Sequence, residues 1–178
     1  MTDIEYFEKH IPHRINLLVT FRERFADLPE EKRQKIRDLF RCSKDISLLM
    51  ARFLLNELGI KLKKGDRSLT REEGAEWKKR IAEYKLKSLE LSDLLSNKNL
   101  CEDVLIVLIA ANRAVAHIDE KHVDHNLKTV EDEPSLIRVI NYIENTIKIN
   151  FYEFTNRHNY NEIMSYDYNE MHRDRFVI

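Results

Sequence analysis

Glycine and proline are scarce in this sequence, which has 3 of each in 178 residues. Tight turns depend on these two residues, so their scarcity argues against the many turns of a β-sandwich or barrel. Leucine, glutamate, lysine, isoleucine and arginine are abundant, as they are in helix-rich proteins. We therefore expect an all-α fold, and the length of the chain indicates a single domain.

Cysteine and long apolar runs are scarce as well. Cys42 and Cys101 are too few and too far apart for a disulfide framework or a zinc knuckle, so each is expected to pack as a small apolar side chain. The longest apolar run, Val104–Ala111, is far shorter than the roughly 20 residues that cross a bilayer. No positively charged leader opens the chain. These features predict a soluble, cytoplasmic protein that does not contact a membrane.

Neither sign of charge predominates, because the formal net charge is -1. Any phosphate-binding site must therefore be local. One basic stretch has the composition to follow a nucleic-acid backbone: Lys61, Lys63, Lys64, Arg67, Arg71, Lys78, Lys79 and Arg80. Acidic residues interrupt this stretch, so an ordinary solvated surface is the preferred interpretation. The chain also lacks a glycine-rich phosphate loop, a serine nucleophile elbow and a paired-cysteine motif.

Histidines occur in two groups. His117, His122 and His125 lie close to aspartates and include ligand types for a metal, but only His122 and His125 have a compact helical spacing. A solvated helix end is the simpler interpretation, and we expect no metal. His10 and His13 are expected to cap or decorate the first helix.

Apolar residues at helical spacing predict about five helices. The first extends from Pro12 to Leu28. The second begins at Pro29, has a break near Cys42 and Ser43, and ends at Gly59, a residue suited to a left-handed cap. A polar loop is expected between residues 61 and 69.

The remaining three helices follow from start signals and apolar stripes. Thr70 and Glu73 form a capping-box pattern for a third helix whose stripe reaches Leu95. Asn99 and Glu102 start a fourth, which is apolar nearly all round and is expected to cross the centre of the bundle. The fifth runs from Pro134 to Phe154. We predict a helical bundle over 1–155 and a C-terminal docking tail over 156–178.

The fourth helix carries the residues that indicate chemistry. Its apolar run ends in Asn112, Arg113 and His117, and the last two are four residues apart, so they share a helix face. Histidine exchanges a proton near neutral pH, and the guanidinium fork suits phosphate oxygens. His117 would transfer a proton at a ribose 2′-hydroxyl or leaving oxygen, while Arg113 stabilises charge on the phosphoryl group. This pair could therefore cleave RNA without a metal.

Two further residues are candidates for substrate binding, and one alternative remains open. Asn112 would position the substrate, and His122 is the second candidate. Alternatively, Arg113 and His117 satisfy a carboxylate or carbonyl inside the bundle or anchor a dimer interface, with no turnover.

The segment Ala111-Asn112-Arg113-Ala114-Val115-Ala116-His117-Ile118 resembles the signature region of HEPN domains. These domains are small helical bundles that usually dimerise, and many are metal-independent ribonucleases. Their motif places an arginine, commonly followed by a polar residue such as asparagine, four to six positions before a histidine. Here Asn112 occupies the usual arginine position, and three residues separate Arg113 from His117.

The resemblance implies a HEPN-like up-and-down bundle and a homodimer with paired sites facing each other across a cleft. It also implies an RNA substrate and a role in a toxin–antitoxin or defence system, with an antitoxin as a protein partner. The competing hypothesis is a non-catalytic helical module that binds a partner chain or dimerises through the same helix.

Overall fold

The computed structural model describes residues 2, 5–63, 68–118, 133–156, 160 and 164, and for 113 and 115–118 it describes the helical backbone. The predicted all-α class is confirmed. Within these residues the α-helices are α1 (Ile11–Arg24), α2 (Glu30–Lys35), α3 (Arg37–Glu57), α4 (Ala75–Tyr84), α5 (Leu91–Ser96), α6 (Lys98–Ile118) and α7 (Glu133–Ile147). None of these helices is long and apolar enough to span a membrane.

Two wider π-helical turns extend the long helices. Tyr6–His10 leads directly into α1, and Lys148–Glu153 continues α7. The two turns are packed together, since the Tyr152 hydroxyl donates a 2.6 Å hydrogen bond to the carbonyl of Phe7. The rings of Phe7 and Tyr152 also meet edge to face, with centroids 5.7 Å apart. The start of α1 is thereby joined to the end of α7.

Four long helices form the core. α3 packs against both α1 and α6, and α7 packs against α6, α3 and α1. α1 and α3 are antiparallel, because Tyr6, just before α1, contacts Glu57 at the end of α3. Their contact surfaces are apolar at helical spacing, and the fully buried side chains include Ile11, Ile15, Leu18, Phe21, Leu54 and Leu55.

The starts of α6 and α7 are joined by an ion pair. Arg138 donates two hydrogen bonds to Asp103, from Nε to Oδ2 at 2.6 Å and from Nη2 to Oδ1 at 2.7 Å. The Ser135 hydroxyl adds a third, at 2.8 Å. The guanidinium of Arg138 holds the pKa of Asp103 below its ordinary value, and the Ser135 bond adds to this effect. A charge-assisted fork of this kind fixes the contact between the two helices.

The break in the predicted second helix lies at Ile36, so the prediction of a break near Cys42 and Ser43 is wrong. Ile36 separates α2 from α3 with backbone angles of φ -118° and ψ 30°. Ser47 is tolerated within α3 because its hydroxyl donates a 3.2 Å hydrogen bond to the carbonyl of Leu17 on α1. The prediction that Cys42 packs as an apolar side chain is also wrong, since Cys42 is exposed.

The expected polar loop contains a small antiparallel hairpin, formed by β1 (Ile60–Leu62) and β2 (Leu69–Arg71). Strands of three residues are too short to show a period-two pattern. Thr70 lies in β2, so the capping box predicted for Thr70 and Glu73 is wrong. Instead, Glu72 Oε1 accepts the N–H of Gly74 at 2.7 Å just before α4 begins.

The predicted third helix ends early. α4 stops at Tyr84, where Lys85 adopts a left-handed conformation with φ 55°. The following residues form backbone hydrogen bonds with distant segments: Leu89 N–H to the Leu58 carbonyl at 3.0 Å, and Lys87 N–H to the Asn150 carbonyl at 3.4 Å. These tertiary bonds replace the helical ones, and α5 is a separate helix.

The fourth predicted helix exists as α6, but only one side of it is fully buried. Val104, Val107, Leu108 and Ala111 are at most 2 % exposed, whereas Leu105, Ile106 and Ile109 are half-buried. The helix starts one residue earlier than predicted, and the Asn97 side chain caps it by accepting the Leu100 N–H at 3.1 Å. The fifth predicted helix is α7 with its π-helical extension.

Three residues of the predicted docking tail are described: Asn156, Tyr160 and Met164. Tyr160 is 7 % exposed and packs edge to face on Tyr152, with ring centroids 5.2 Å apart. Met164 also packs against the core. The rest of 157–178 lies outside the described residues, so the boundary between bundle and tail stays a prediction.

Gly59 provides the first testable prediction. Its φ of +92° confirms the predicted left-handed cap, and a Cβ at this position would lie 2.8 Å from Cζ2 of Trp77. We expect Gly59→Ala to lower the free energy of unfolding by about 2 kcal/mol, through backbone strain and displacement of the indole. Urea titration followed by circular dichroism measures this. Gly74→Ala is the control, because Gly74 has φ -59°; equal losses in the two variants would contradict the argument.

The Asp103 ion pair predicts a pH dependence. A carboxylate whose pKa is lowered by folding stabilises the protein fully above about pH 5, and this stabilisation is lost as pH falls through the lowered pKa. We therefore expect the stability difference between wild type and Asp103→Asn to shrink between pH 6 and pH 3 in urea titrations. The exposed Asp38 on α3 supplies the control, Asp38→Asn. A difference for Asp103→Asn that stays constant with pH would show that its ionisation is not linked to folding.

Candidate functional site

The predicted catalytic positions 113 and 117 both belong to α6. Successive residues of an α-helix are separated by about 100°, so position 113 lies about 160° and position 117 about 120° around the axis from the buried Ala111. The two positions are one turn apart and continue a helical stripe that begins with Glu102, Ile106 and Ile109. We call these five positions, 102, 106, 109, 113 and 117, the α6 stripe.

The described side chains of the α6 stripe lie on the less buried side of the helix. Glu102 is exposed, and Ile106 and Ile109 are half-buried. The fully buried Val104 and Val107 are on the other side. Position 113 is therefore about 180° around the axis from the buried Val104, whereas position 117 is about 60° from the buried Ala114, at the edge of the packed face. The alternative of a pair satisfied inside the bundle stays open.

The structure describes Asn112 but not His122, the other candidate substrate-binding residue. Asn112 is exposed on α6, about 100° around the axis from position 113. His122 and His125 lie outside the described residues. His10 and His13 are exposed at the start of the first helix, as predicted. Within the described part of the chain, no group of three histidine, cysteine or acidic side chains is arranged to hold a metal.

The predicted basic stretch is partly neutralised by carboxylates. Lys61 pairs with Glu72 at 3.1 Å, and Arg71 pairs with Glu90 at 3.4 Å. Arg80 pairs with Glu57 at 3.0 Å. Lys64 and Arg67 lie outside the described residues. These pairs agree with the interpretation of most of this stretch as an ordinary surface, but Arg80 belongs to a different arrangement.

Glu57 is a buried carboxylate that the sequence analysis missed. It is 2 % exposed and lies at the end of α3. Oε1 pairs with Arg80 Nη1 at 3.0 Å, and Oε2 accepts a 3.1 Å hydrogen bond from the Tyr6 hydroxyl. The indole N–H of Trp77 donates to the Glu57 backbone carbonyl at 3.1 Å. Side chains from the first π-helical turn and from α4 thus meet the end of α3.

The tyrosine that donates to this carboxylate is itself packed against a second aromatic ring. Tyr6 stacks on Tyr84 with ring centroids 4.5 Å apart and an interplanar angle of 13°. Burial, followed by the negative charge of Glu57, raises the pKa of Tyr6 well above its ordinary value, so the phenol stays protonated and remains a donor. The carboxylate is therefore held by one neutral and one charged donor.

Arg14 on α1 is the second arginine near Glu57. Its guanidinium lies over the ring of Phe53 with Cζ 3.8 Å from the centroid. Burial lowers the pKa of Arg14, Glu57 partly opposes this, and Arg80 adds to the lowering. Among the described residues, the guanidinium of Arg14 has no hydrogen-bond acceptor and no ion pair. Arg80 Nε is also buried without a hydrogen-bond partner there. We call Arg14, Phe53, Glu57 and Arg80 the two-arginine cluster.

A signal for this cluster exists in the sequence but is weak. Glu57 interrupts the apolar run Phe53–Leu58 near the end of a predicted helix. A charged residue in that context is buried only when paired. The partners cannot be identified from the sequence, because they come from α4 and from the turn before α1.

Comparison with known proteins identifies no relative of this chain. No protein-family model, no curated protein and no solved structure matches the chain. Any functional conclusion therefore depends on the residues of the chain itself.

The Glu57 contacts predict a ranking of stabilities. We expect Tyr6→Phe to lower the free energy of unfolding by about 1–2 kcal/mol, because a buried carboxylate oxygen loses its donor. Arg80→Ala should cost more, about 3 kcal/mol, because the negative charge of Glu57 loses its counter-charge. Urea titrations at pH 7 compare the two with Lys79→Ala, a control at an exposed position of α4. A smaller loss for Arg80→Ala than for Tyr6→Phe would contradict this account.

Proposed function

We propose that this protein is a HEPN-like, metal-independent endoribonuclease in which His117 and Arg113 carry the chemistry. His117 accepts the proton of a ribose 2′-hydroxyl, and the 2′ oxygen then forms a bond to the adjacent phosphorus. The bond from phosphorus to the 5′ oxygen breaks, this oxygen takes a proton from water, and His117 gives its proton back to the solvent. Arg113 stabilises the negative charge that develops on the phosphoryl oxygens. The products are a 2′,3′-cyclic phosphate and a free 5′-hydroxyl.

The observation that carries this proposal is the register of α6. Positions 113 and 117 are one turn apart on α6, with position 113 opposite the buried Val104 and position 117 at the edge of the packed face. A general base and a phosphate-binding cation need this relation, since both must reach one substrate group. Asn112 and His122 are proposed to bind the RNA substrate.

The α6 stripe also supports a homodimer. Ile106 and Ile109 are half-buried, apolar and on the same side of α6 as positions 113 and 117. A second copy that covers these isoleucines would bring two His117–Arg113 pairs to one cleft and exclude water from it. The HEPN resemblance implies a toxin–antitoxin or defence role with an antitoxin partner, and we include both in the proposal. We place the protein in the cytoplasm, where RNA is present.

The second candidate function is a non-catalytic interaction module. Ile106 and Ile109 favour it as well, because an apolar stripe with a charged end can serve a protein interface without turnover. In that case Arg113 and His117 would bind a second copy or another protein chain. The two candidates differ in whether RNA is cleaved.

Cleavage of labelled RNA in EDTA tests the proposal. We expect the wild-type protein to cleave single-stranded RNA and to leave strands with 2′-O-methyl groups intact, since the 2′ oxygen is the nucleophile. His117→Ala and Arg113→Ala should each lower the rate by about 100-fold or more, because each removes one catalytic contribution. Gel electrophoresis gives the rates, and circular dichroism checks that each variant is folded.

Two exposed residues on other helices are matched controls. His13→Ala on α1 and Arg41→Ala on α3 remove the same residue types and should leave cleavage unchanged. Cleavage that survives in the His117 and Arg113 variants would assign the activity to other residues or to a contaminant. An inactive, folded wild-type protein that dimerises in sedimentation analysis would favour the interaction module.

A further inference from the structure

The two-arginine cluster has more positive than negative charge. Arg14 and Arg80 are both near Glu57, and Glu57 pairs with Arg80. Among the described residues, Arg14 has neither a hydrogen bond nor an ion pair, and its guanidinium lies over the Phe53 ring. A half-buried guanidinium without an acceptor loses hydration and gains no bond in return. The surplus of one positive charge lies between α1 and α4, where an anion can neutralise it.

The geometry points to a site for a phosphate group: we propose that Arg14 and Arg80 together bind the phosphate of a nucleotide, of a nucleic-acid strand or of the free ion. The guanidinium of Arg14 is held against the ring of Phe53, with Cζ 3.8 Å from the ring centroid. Arg80 is fixed by its 3.0 Å pair with Glu57. Both guanidinium groups are thus held in place before a ligand arrives, which reduces the entropy lost on binding.

Phosphate fits this site because of its charge and shape. A guanidinium presents several N–H donors in one plane, and a phosphate has enough oxygens to accept from two such groups at once. Arg80 uses Nη1 for Glu57, and its side chain remains 36 % exposed. Arg14 is held by stacking, and among the described residues nothing accepts a hydrogen bond from its guanidinium. Glu57 limits the net charge of the site to +1, which favours a reversibly bound anion.

This site is independent of the proposed ribonuclease activity. Its residues lie on α1, α3 and α4, whereas Arg113 and His117 lie on α6. Binding can therefore be measured with ligands that the enzyme does not cleave. If the cleavage experiment fails, the phosphate-site proposal still stands. If no phosphate binds, the ribonuclease proposal still stands.

Trp77 provides a direct signal, because it is the one tryptophan of the chain and its indole N–H donates to the Glu57 carbonyl. The full-length protein is titrated with inorganic phosphate, with AMP and with a 2′-O-methyl oligonucleotide, at constant ionic strength adjusted with sodium chloride. We expect saturable changes in Trp77 fluorescence and a rise of a few degrees in the unfolding midpoint at saturating ligand. Arg14→Gln should weaken binding at least tenfold.

The variants separate binding from folding. Arg14→Gln breaks no described hydrogen bond or ion pair but loses the contact with the Phe53 ring, so its unfolding midpoint without ligand is measured to check that it is folded. Arg80→Lys keeps a cation beside Glu57 but lacks the fork, and it should also weaken binding. Arg41→Gln, an exposed arginine on α3, is the matched control and should bind like the wild type.

The three ligands distinguish the source of the phosphate. A full response to inorganic phosphate assigns the site to a small anion, whereas tight binding of the oligonucleotide alone, weakened by salt, assigns it to a nucleic-acid backbone. No saturable response to any of the three below about 10 mM would overturn the proposal, since such affinity is weaker than a functional site requires. Equal binding by wild type and Arg14→Gln would overturn it as well.

Discussion

The buried carboxylate of Glu57 is the contact on which the arrangement of the chain's first half depends. A charge with 2 % exposure is tolerated only if donors surround it, and here the donors come from separate parts of the chain. Tyr6 precedes α1, and Arg80 belongs to α4. Trp77, which donates to the carbonyl of the same residue, also packs against Gly59 in the turn that follows α3. Satisfying one buried charge thus fixes where three segments meet.

The same constraint explains why two arginines lie close together despite their repulsion. Arg80 is required as the counter-charge of Glu57, and Arg14 is held by Phe53 on the neighbouring helix. The repulsion is tolerated because the carboxylate lies near both cations. A bound phosphate group would neutralise the remaining positive charge of the two arginines. Structure and binding are linked here, since the group that stabilises the fold also orients one of the proposed ligand-binding side chains.

The register of α6 was the part of the candidate site that could be predicted from sequence. A spacing of four residues places Arg113 and His117 on one helix face wherever the helix lies. Which side of α6 would be packed was not predictable, because the apolar run Val104–Ala111 offers apolar side chains in every direction. Neighbouring helices decided it: Val104 and Ala111 are fully buried, and Ile106 is half-buried.

Local rules determined the fold class, the approximate positions of the long helices and the left-handed cap at Gly59, because periodicity and backbone preference act over a few residues. Tertiary structure decided where helices stop and which charges pair. α4 ends at Tyr84 because the following backbone bonds to Leu58 and Asn150. Tyr6 and Glu57 are 51 residues apart and meet only when α1 and α3 pack side by side. Contacts between distant residues carry no periodic signal, and their energies depend on burial that only the folded chain creates.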